Sequence, residues 1–265
     1  MSNELFPTRT TSSNSDDAGG RVYRRQYEPA ITVADFTLNR QVVQQNIARA
    51  AQRAGRNSEG VRLLAVSKTV SHDRVRNAHV AGLNQFAENK VQEAHAKAHD
   101  LADLDARWVM IGHLQTNKAK QVAEFAHEFQ GLDSARIAAA LDRRLQQLGR
   151  SLDVLVQVNV SGEATKSGVE PSEVEVLLGE LKHCDALRVR GFMTIASHTT
   201  DEQQVRNCFR DLRDIRDQAQ QTVEHPELFT ELSMGMSGDY EIAIEEGSTV
   251  VRVGSALFGS RYYPA

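Results

Sequence analysis

The feature that most constrains the fold of this chain is an alternation between short β-branched runs and longer amphipathic segments. This alternation is typical of parallel strands that are joined by crossover helices. We predict eight strands, at residues 62–66, 85–87, 108–111, 128–132, 154–158, 188–193, 231–233 and 250–253. Eight such units match a single α/β barrel of the (β/α)₈ (TIM) type, which usually takes roughly 250 residues.

Between the strands, apolar residues recur at three- and four-residue intervals, and this spacing predicts helices. The predicted helices are residues 72–82, 91–104, 117–125, 135–148, 172–183, 202–222 and 240–246. Residues 36–55 have the same pattern and predict an extra helix ahead of the barrel. A doubly wound open sheet is the alternative, but the chain lacks the Gly-rich first turn that would favour it.

The start of the chain differs from the rest. Residues 1–35 are rich in Ser, Thr, Asn and Asp and have no sustained apolar period. We therefore expect a flexible N-terminal extension at residues 1–35 and a barrel domain at residues 36–265. The barrel would take up the remaining chain, so no second catalytic domain is expected.

Charge and composition narrow the range of partners. The net charge is −4 at pH 7, so the chain offers no strongly basic surface for nucleic acid or an anionic membrane. No apolar run approaches the roughly 20 residues of a bilayer span, and the start has no signal-peptide pattern. We therefore expect a cytoplasmic protein without nucleic-acid or membrane partners.

Neither the cysteines nor the histidines form a recognisable metal motif. Cys184 and Cys208 lack the spacing of a redox pair or a zinc site. His95 and His99 are four residues apart on a predicted helix, but no third ligand follows at a motif spacing. We predict no metal site.

Lys68 is the first candidate functional residue, because barrels of this type place their chemistry just after the strands. It follows the apolar run that ends at Val66. A lysine at a partly desolvated barrel mouth favours its neutral amine, which can condense with an aldehyde or ketone as a Schiff base. From this position alone, the alternative is a strand-end lysine that reaches solvent.

Glycine and serine follow the last two predicted strands, at Ser237, Gly238, Gly254 and Ser255. In (β/α)₈ barrels these two loops commonly bind a phosphate with backbone N–H groups. Glycine lets the backbone approach an oxyanion, and serine adds a hydroxyl donor. The pattern therefore predicts a phosphate site.

Arg252 lies on the last predicted strand and shares a side with Gly254, which we take to be inward. A buried arginine needs an acceptor. The acceptor could be a carboxylate such as Glu88 or Asp133, a ring nitrogen, or an anionic ligand. Together with Lys68 and the phosphate site, the ring-nitrogen option suits pyridoxal 5′-phosphate (PLP).

Six segments resemble the pyridoxal phosphate homeostasis protein family over about residues 37–261. They are LLAVSKT (63–69), FAENKVQE (86–93), WVMIGHLQTNK (108–118), GFMTI (191–195), LSMGMSGD (232–239) and EGSTVVRVGSALFG (246–259). The resemblance implies the barrel of alanine racemase standing alone, which is PLP fold type III. It also implies PLP binding without robust enzyme activity.

The resemblance assigns roles to individual residues. Lys68 would hold PLP as an internal aldimine, and Arg252 would face the pyridine nitrogen. Asn89 and Met193 would line the ring. The phosphate would be bound by Ser237, Gly238, Gly254 and Ser255.

Three positions depart from the family pattern near the proposed rim. Many relatives have a second lysine where this chain has Val70, a glycine at Ala87 and a tyrosine at Lys90. The aldimine lysine is unaffected, but a role of the second lysine in moving cofactor on or off cannot be transferred. The consequence of these three changes stays open.

The predicted function is reversible PLP binding that contributes to intracellular PLP homeostasis, with transient transfer to apo-PLP enzymes. A protonated Arg252 disfavours a proton on the pyridine nitrogen and weakens the electron sink, and no catalytic residue is predicted. A weak PLP-dependent racemase that uses Tyr240, Tyr262 or His113 as second base is one alternative. A Schiff-base aldolase that acts on sugar phosphates is another. Without a racemase-like second domain, we expect a monomer.

Overall fold

The computed structural model describes residues 27–163, 167–197 and 199–260. Its eight strands are β1 (Arg62–Val66), β2 (Gln85–Glu88), β3 (Arg107–Met110), β4 (Glu128–Leu132), β5 (Leu152–Gln157), β6 (Leu187–Met193), β7 (Glu231–Met236) and β8 (Val250–Val253). All neighbouring strands are parallel, and β8 pairs with β1 to close the sheet. The predicted (β/α)₈ barrel is thus confirmed.

Nine helices lie in the described part of the chain. They are α1 (Val33–Arg53), α2 (His72–Val80), α3 (Val91–Asp100), α4 (Ala119–Phe125), α5 (Ala135–Leu148), α6 (Val174–Leu181), α7 (Glu202–Ala219), α8 (Tyr240–Glu245) and α9 (Ser255–Phe258). Helices α2 to α8 each connect one strand to the next, and α1 precedes the barrel. No helix among the described residues has the length and apolar character needed to cross a bilayer.

The N-terminal helix begins at Val33, three residues earlier than the apolar period predicts. Thr32 caps it, because the Thr32 side chain accepts a hydrogen bond from the Asp35 N–H (3.2 Å) and Asp35 accepts one from the Thr32 N–H (2.9 Å). The boundary predicted at residue 35 therefore falls inside the first helical turn. Most of the predicted extension, residues 1–26, lies outside the described residues.

The segment before α1 pairs with the segment after α9. The Ser260 N–H donates to the Tyr27 carbonyl (2.8 Å), and the Ala30 N–H donates to the Phe258 carbonyl (3.3 Å). Gly259 is needed for this approach, because a Cβ there would lie 2.5 Å from the Pro29 Cα. The two ends of the described chain are thus held together on the outside of the barrel.

The two faces of the strands pack in different parts of the core. On β8, Val250 belongs to a small cluster inside the barrel with Leu64 and Val66. Val251, its neighbour, packs with the surrounding helices. Because successive side chains of a strand point to opposite faces, Arg252 shares the inward face with Val250.

Strand β7 extends three residues beyond its predicted end. The register with β8 shifts between Ser233 and Met236. Gly235 lies in this irregular stretch with φ +93°, and a Cβ there would be 2.6 Å from the Ala243 Cβ and 2.8 Å from the Tyr240 Cα. The missing side chain allows α8 to pack directly on the strand that precedes it.

Gly191 of β6 should be among the least replaceable residues of the barrel. Its φ is +148°, and a Cβ there would lie 2.0 Å from the Glu231 carbonyl oxygen of β7. We expect Gly191→Ala to lower the free energy of unfolding by roughly 2–3 kcal/mol in urea denaturation, because overpacking forces the strands apart.

Gly179 provides the matched control, since it lies in α6 and a Cβ there meets nothing within 4 Å. We expect Gly179→Ala to raise the free energy of unfolding by about 0.5–1 kcal/mol, as alanine does in a helix. Two variants of equal stability would contradict this interpretation of Gly191.

Candidate functional site

The residues singled out in the sequence gather at the carboxyl ends of five strands. Met193 ends β6 and Arg252 lies on β8, one residue before its end. The other six follow strands: Lys68 after β1, Asn89 after β2, Ser237 and Gly238 after β7, and Gly254 and Ser255 after β8. The candidate site is therefore the C-terminal face of the barrel, where such folds place their binding groups.

Lys68 lies in a tight turn between β1 and α2, and its side chain is half-buried. The Ser67 N–H donates to the Ala87 carbonyl of β2 (3.0 Å), and the Val70 N–H donates to the Ser67 carbonyl (3.0 Å). Thr69 has φ +66°, a left-handed conformation that is unusual for a β-branched residue. The backbone around Lys68 is thus closely constrained.

An ionic cluster lies behind this turn and consists of the buried Glu88 and Lys97 and the partly buried Glu93. The Lys97 ammonium donates to Glu88 Oε1 (2.8 Å) and to Glu93 Oε1 (2.7 Å). Burial raises the pKa of Glu88. Partial burial also acts to raise the pKa of Glu93, but hydrogen bonds from Lys97 and the Thr69 N–H outweigh it and lower that pKa. We call these three residues the Lys97 cluster.

The loop after β7 meets the loop after β8 at the Ser237 hydroxyl. Ser237 Oγ accepts hydrogen bonds from the backbone N–H groups of Gly254 (3.2 Å) and Ala256 (3.3 Å). Both backbone N–H groups thus donate to the Ser237 hydroxyl oxygen, and the hydroxyl hydrogen remains available as a donor. A hydroxyl donor beside the backbone N–H groups of this loop suits an oxyanion such as phosphate.

Arg252 is buried inside the barrel at 3% exposure. Its Nη1 donates to Ser233 Oγ (2.8 Å), and its Nη2 donates to the Thr194 carbonyl (2.7 Å). Burial lowers the pKa of Arg252 to about 10, and the charge of Asp239 opposes this shift. The guanidinium therefore stays protonated at neutral pH.

The partners of Arg252 differ from the carboxylates that the sequence suggested. Glu88 binds Lys97 instead, and Asp133 accepts from His113 across 3.0 Å. In the described part of the chain, the hydrogen-bond partners of Arg252 are neutral oxygens. Because a guanidinium carries five N–H donors, it can bind a further acceptor such as a ring nitrogen.

Asn89 follows β2 directly, and Met193 is the last residue of β6. Met193 is fully buried and pairs with Ser233 of β7. The Asn89 Oδ1 is buried and has no hydrogen-bond partner among the described residues. The backbone of Asn89 lies against Gly112, and only glycine fits there, because a Cβ on Gly112 would lie 2.1 Å from the Asn89 carbonyl oxygen. An orphaned buried amide oxygen beside the mouth is consistent with a bound ligand.

Sequence reasoning missed the Lys97 cluster and Asp239. Glu93 and Lys97 are four residues apart on α3, a spacing equally typical of a solvated surface pair. Asp239 is buried, and its Oδ1 accepts from the Met236 N–H (2.6 Å). Burial raises the pKa of Asp239. In the sequence, the position of Asp239 in the loop after β7 is the one feature that points to a role at this face.

The cysteines and the two spaced histidines lie on helices or just after one, not at the strand ends. The thiols of Cys184 and Cys208 are free. His95 lies 3.5 Å from Glu124, and His99 lies 3.0 Å from Asp100. The described residues contain no group of three or more His, Cys, Asp or Glu side chains arranged to hold a metal.

Comparison with known proteins gives a consistent set of relatives. A family model described as "Alanine racemase, N-terminal domain" matches residues 38–262. The chain is 41% identical over 221 residues to the "Pyridoxal phosphate homeostasis protein" of Aquifex aeolicus, which covers 83% of this chain and 96% of that protein.

Two solved structures resemble the fold closely. An unknown protein from Bifidobacterium adolescentis has a TM-score of 0.81 and 34% identity, and the match covers 89% of this chain and 100% of that chain. PipY of Synechococcus elongatus, solved with PLP bound, has a TM-score of 0.71 and 37% identity. That match covers 80% of this chain and 100% of PipY.

Proposed function

This chain belongs to the alanine racemase N-terminal domain family and, within it, to the pyridoxal phosphate homeostasis proteins, and we propose from this premise that it binds PLP reversibly. It would thereby contribute to intracellular PLP homeostasis. The observation that carries the proposal is the buried Arg252 guanidinium with neutral partners, next to a donor set that suits phosphate. PLP carries both a ring nitrogen and a phosphate, and it supplies an aldehyde that reacts with primary amines.

Each residue has a role in this proposal. The Lys68 amine condenses with the aldehyde, which forms a carbon–nitrogen double bond and releases water. Arg252 donates to the ring nitrogen, while Asn89 and Met193 line the ring. The phosphate is bound by Ser237, Gly238, Gly254 and Ser255.

Three observations support a binding protein rather than a catalyst. A protonated Arg252 keeps a proton off the ring nitrogen, which limits electron withdrawal from a bound amino acid. The Tyr240 hydroxyl accepts a hydrogen bond from Asn46 of α1 (3.0 Å), and its side chain packs in the core outside the barrel. His113 is bound to Asp133 and is mostly exposed. Tyr262, the third candidate for a second base, lies outside the described residues.

The proposal also extends to organisation and partners. The PLP-binding barrel would occupy the chain from α1 onward, after an N-terminal extension. The protein would act as a cytoplasmic monomer that exchanges PLP transiently with apo-PLP enzymes. The acidic net charge of −4 supports the absence of a nucleic-acid partner.

Lys68 should be the residue that makes the protein yellow. Incubation with PLP should produce a visible absorption band that borohydride removes, and peptide mass spectrometry should place the reduced adduct on Lys68. Lys68→Ala should lack both the band and the adduct, because it removes the amine that the proposal assigns to the aldehyde.

Lys182→Ala is the control, because Lys182 is exposed at the end of α6, away from the C-terminal face. It should keep the band. Wild-type protein that stays colourless with excess PLP would contradict the proposal and favour the aldolase alternative. A reducible adduct that survives in Lys68→Ala would show that another lysine is used.

Ser237 should act on the phosphate alone. We expect Ser237→Ala to weaken PLP binding about tenfold or more, because a hydrogen bond to a charged group contributes roughly 1.5–3 kcal/mol. Its affinity for pyridoxal, which has no phosphate, should stay within about twofold of wild type. Both affinities can be measured by spectroscopic titration, and an equal loss for the two ligands would argue against a phosphate contact.

Racemisation should be absent. Wild-type protein loaded with PLP and incubated with L-alanine should form no more D-alanine than Lys68→Ala incubated with the same amount of PLP, as measured by chiral chromatography. Turnover that depends on Lys68 would overturn the non-catalytic proposal and favour a racemase.

A further inference from the structure

We propose that the Lys97 cluster is a positioning device for Lys68, so that Glu88, Glu93 and Lys97 act on PLP through the lysine they orient. This inference rests on the proposed function, because Lys68 must be the amine that binds PLP. The cluster would not touch the cofactor. It would fix the two residues on either side of Lys68.

The contacts reach Lys68 from both sides. The Lys97 ammonium donates to the Ser67 carbonyl (2.7 Å), and the Ser67 hydroxyl donates to Glu88 Oε1 (2.6 Å). On the other side, the Thr69 N–H donates to Glu93 Oε1 (2.5 Å). Residues 67 and 69 are therefore both bound by groups from β2 and α3.

Lys97 links these contacts into one unit. An ammonium group has three donors, and they bind the Ser67 carbonyl, Glu88 Oε1 and Glu93 Oε1. Each of the two carboxylate oxygens also accepts one hydrogen bond from the Lys68 turn. Removal of the ammonium would leave the Ser67 carbonyl with the Val70 N–H as its donor and would deprive Glu93, the acceptor of the Thr69 N–H, of its cation.

Thr69 shows what the cluster holds in place. Its left-handed conformation costs free energy in a β-branched residue, so it persists only where contacts with the surrounding structure hold it. The hydrogen bond from the Thr69 N–H to Glu93 is one of these contacts. A relaxed Thr69 would reorient the turn that carries Lys68, and the rate of a bond-forming step depends steeply on the placement of its amine.

Burial distinguishes the cluster from ordinary surface ion pairs. Lys97 is 2% exposed and Glu88 is fully buried. Well-packed apolar residues could fill such a volume without the cost of taking charges out of water. Charged groups here make directed hydrogen bonds to one particular turn, which apolar packing cannot do. Lys97 is also too enclosed to serve as the PLP-binding amine itself.

The test compares two ligands in matched variants. Binding of PLP depends on the ring and phosphate contacts and also on the Lys68 amine. Pyridoxine 5′-phosphate has an alcohol in place of the aldehyde, so its binding depends only on the ring and phosphate contacts. We expect Lys97→Met to slow formation of the visible PLP band and to weaken PLP binding, each by about tenfold or more. Affinity for pyridoxine 5′-phosphate should stay within about twofold, as measured by competition or calorimetry.

Glu93 supplies a pair of variants that keep the test falsifiable if Lys97→Met fails to fold. Glu93→Gln retains an acceptor for the Thr69 N–H and should stay close to wild type for both ligands. Glu93→Ala removes the acceptor and should show the PLP-specific loss. Lys182→Met, at an exposed position, is the control for the Lys97 substitution.

The outcomes separate this proposal from the function on which it rests. A wild-type protein that forms no band would defeat the proposed function. A normal wild type, with Lys97→Met and Glu93→Ala also normal, would defeat the positioning role alone. Equal losses for PLP and pyridoxine 5′-phosphate would show that the cluster supports the fold of the whole site, and they would also overturn the proposal.

Discussion

Pairing between the first and last strands is the interaction on which the rest of the structure depends. β8 pairs with β1 from Arg62 opposite Val250 to Ala65 opposite Val253. The closure removes both free edges of the sheet. It also brings Gly254 against Val66, with a Cβ on Gly254 only 3.5 Å from the Val66 Cβ. In an open sheet, the lysine after β1 and the oxyanion donors after β8 could lie far apart.

The interior of the closed barrel is polar as well as apolar. A chain of hydrogen bonds passes from Arg252 through Ser233 and Gln130 to Glu128, which also binds Arg62 at the start of β1. Buried polar groups that are mutually satisfied specify their positions more sharply than apolar contacts do. The charge of Arg252 is consequently fixed beneath the mouth, where its remaining N–H donors can bind a further acceptor.

Much of the fold could be predicted because its periodic signals are strong and its ends are marked. β1, β4 and β8 have their predicted bounds. So does α5, which begins after the Ser134 cap and ends at Gly149 in a left-handed conformation. The end of β7 could not be predicted, because its last residues join the sheet only through pairing with β8. α9 escaped prediction for a similar reason, since four residues give no helical period.

The sequence by itself determined the barrel and the residue types near the strand ends, because apolar periodicity and chain order suffice to bring the carboxyl ends of parallel strands to one face. Tertiary structure decided which of those groups bind each other. Arg252 could have met Glu88, yet Glu88 binds Lys97. The spacing of Glu93 and Lys97 is the same for an exposed pair and a buried clamp. Only the packing of α3 behind the β1 turn buries Lys97 and directs the pair at the residues beside Lys68.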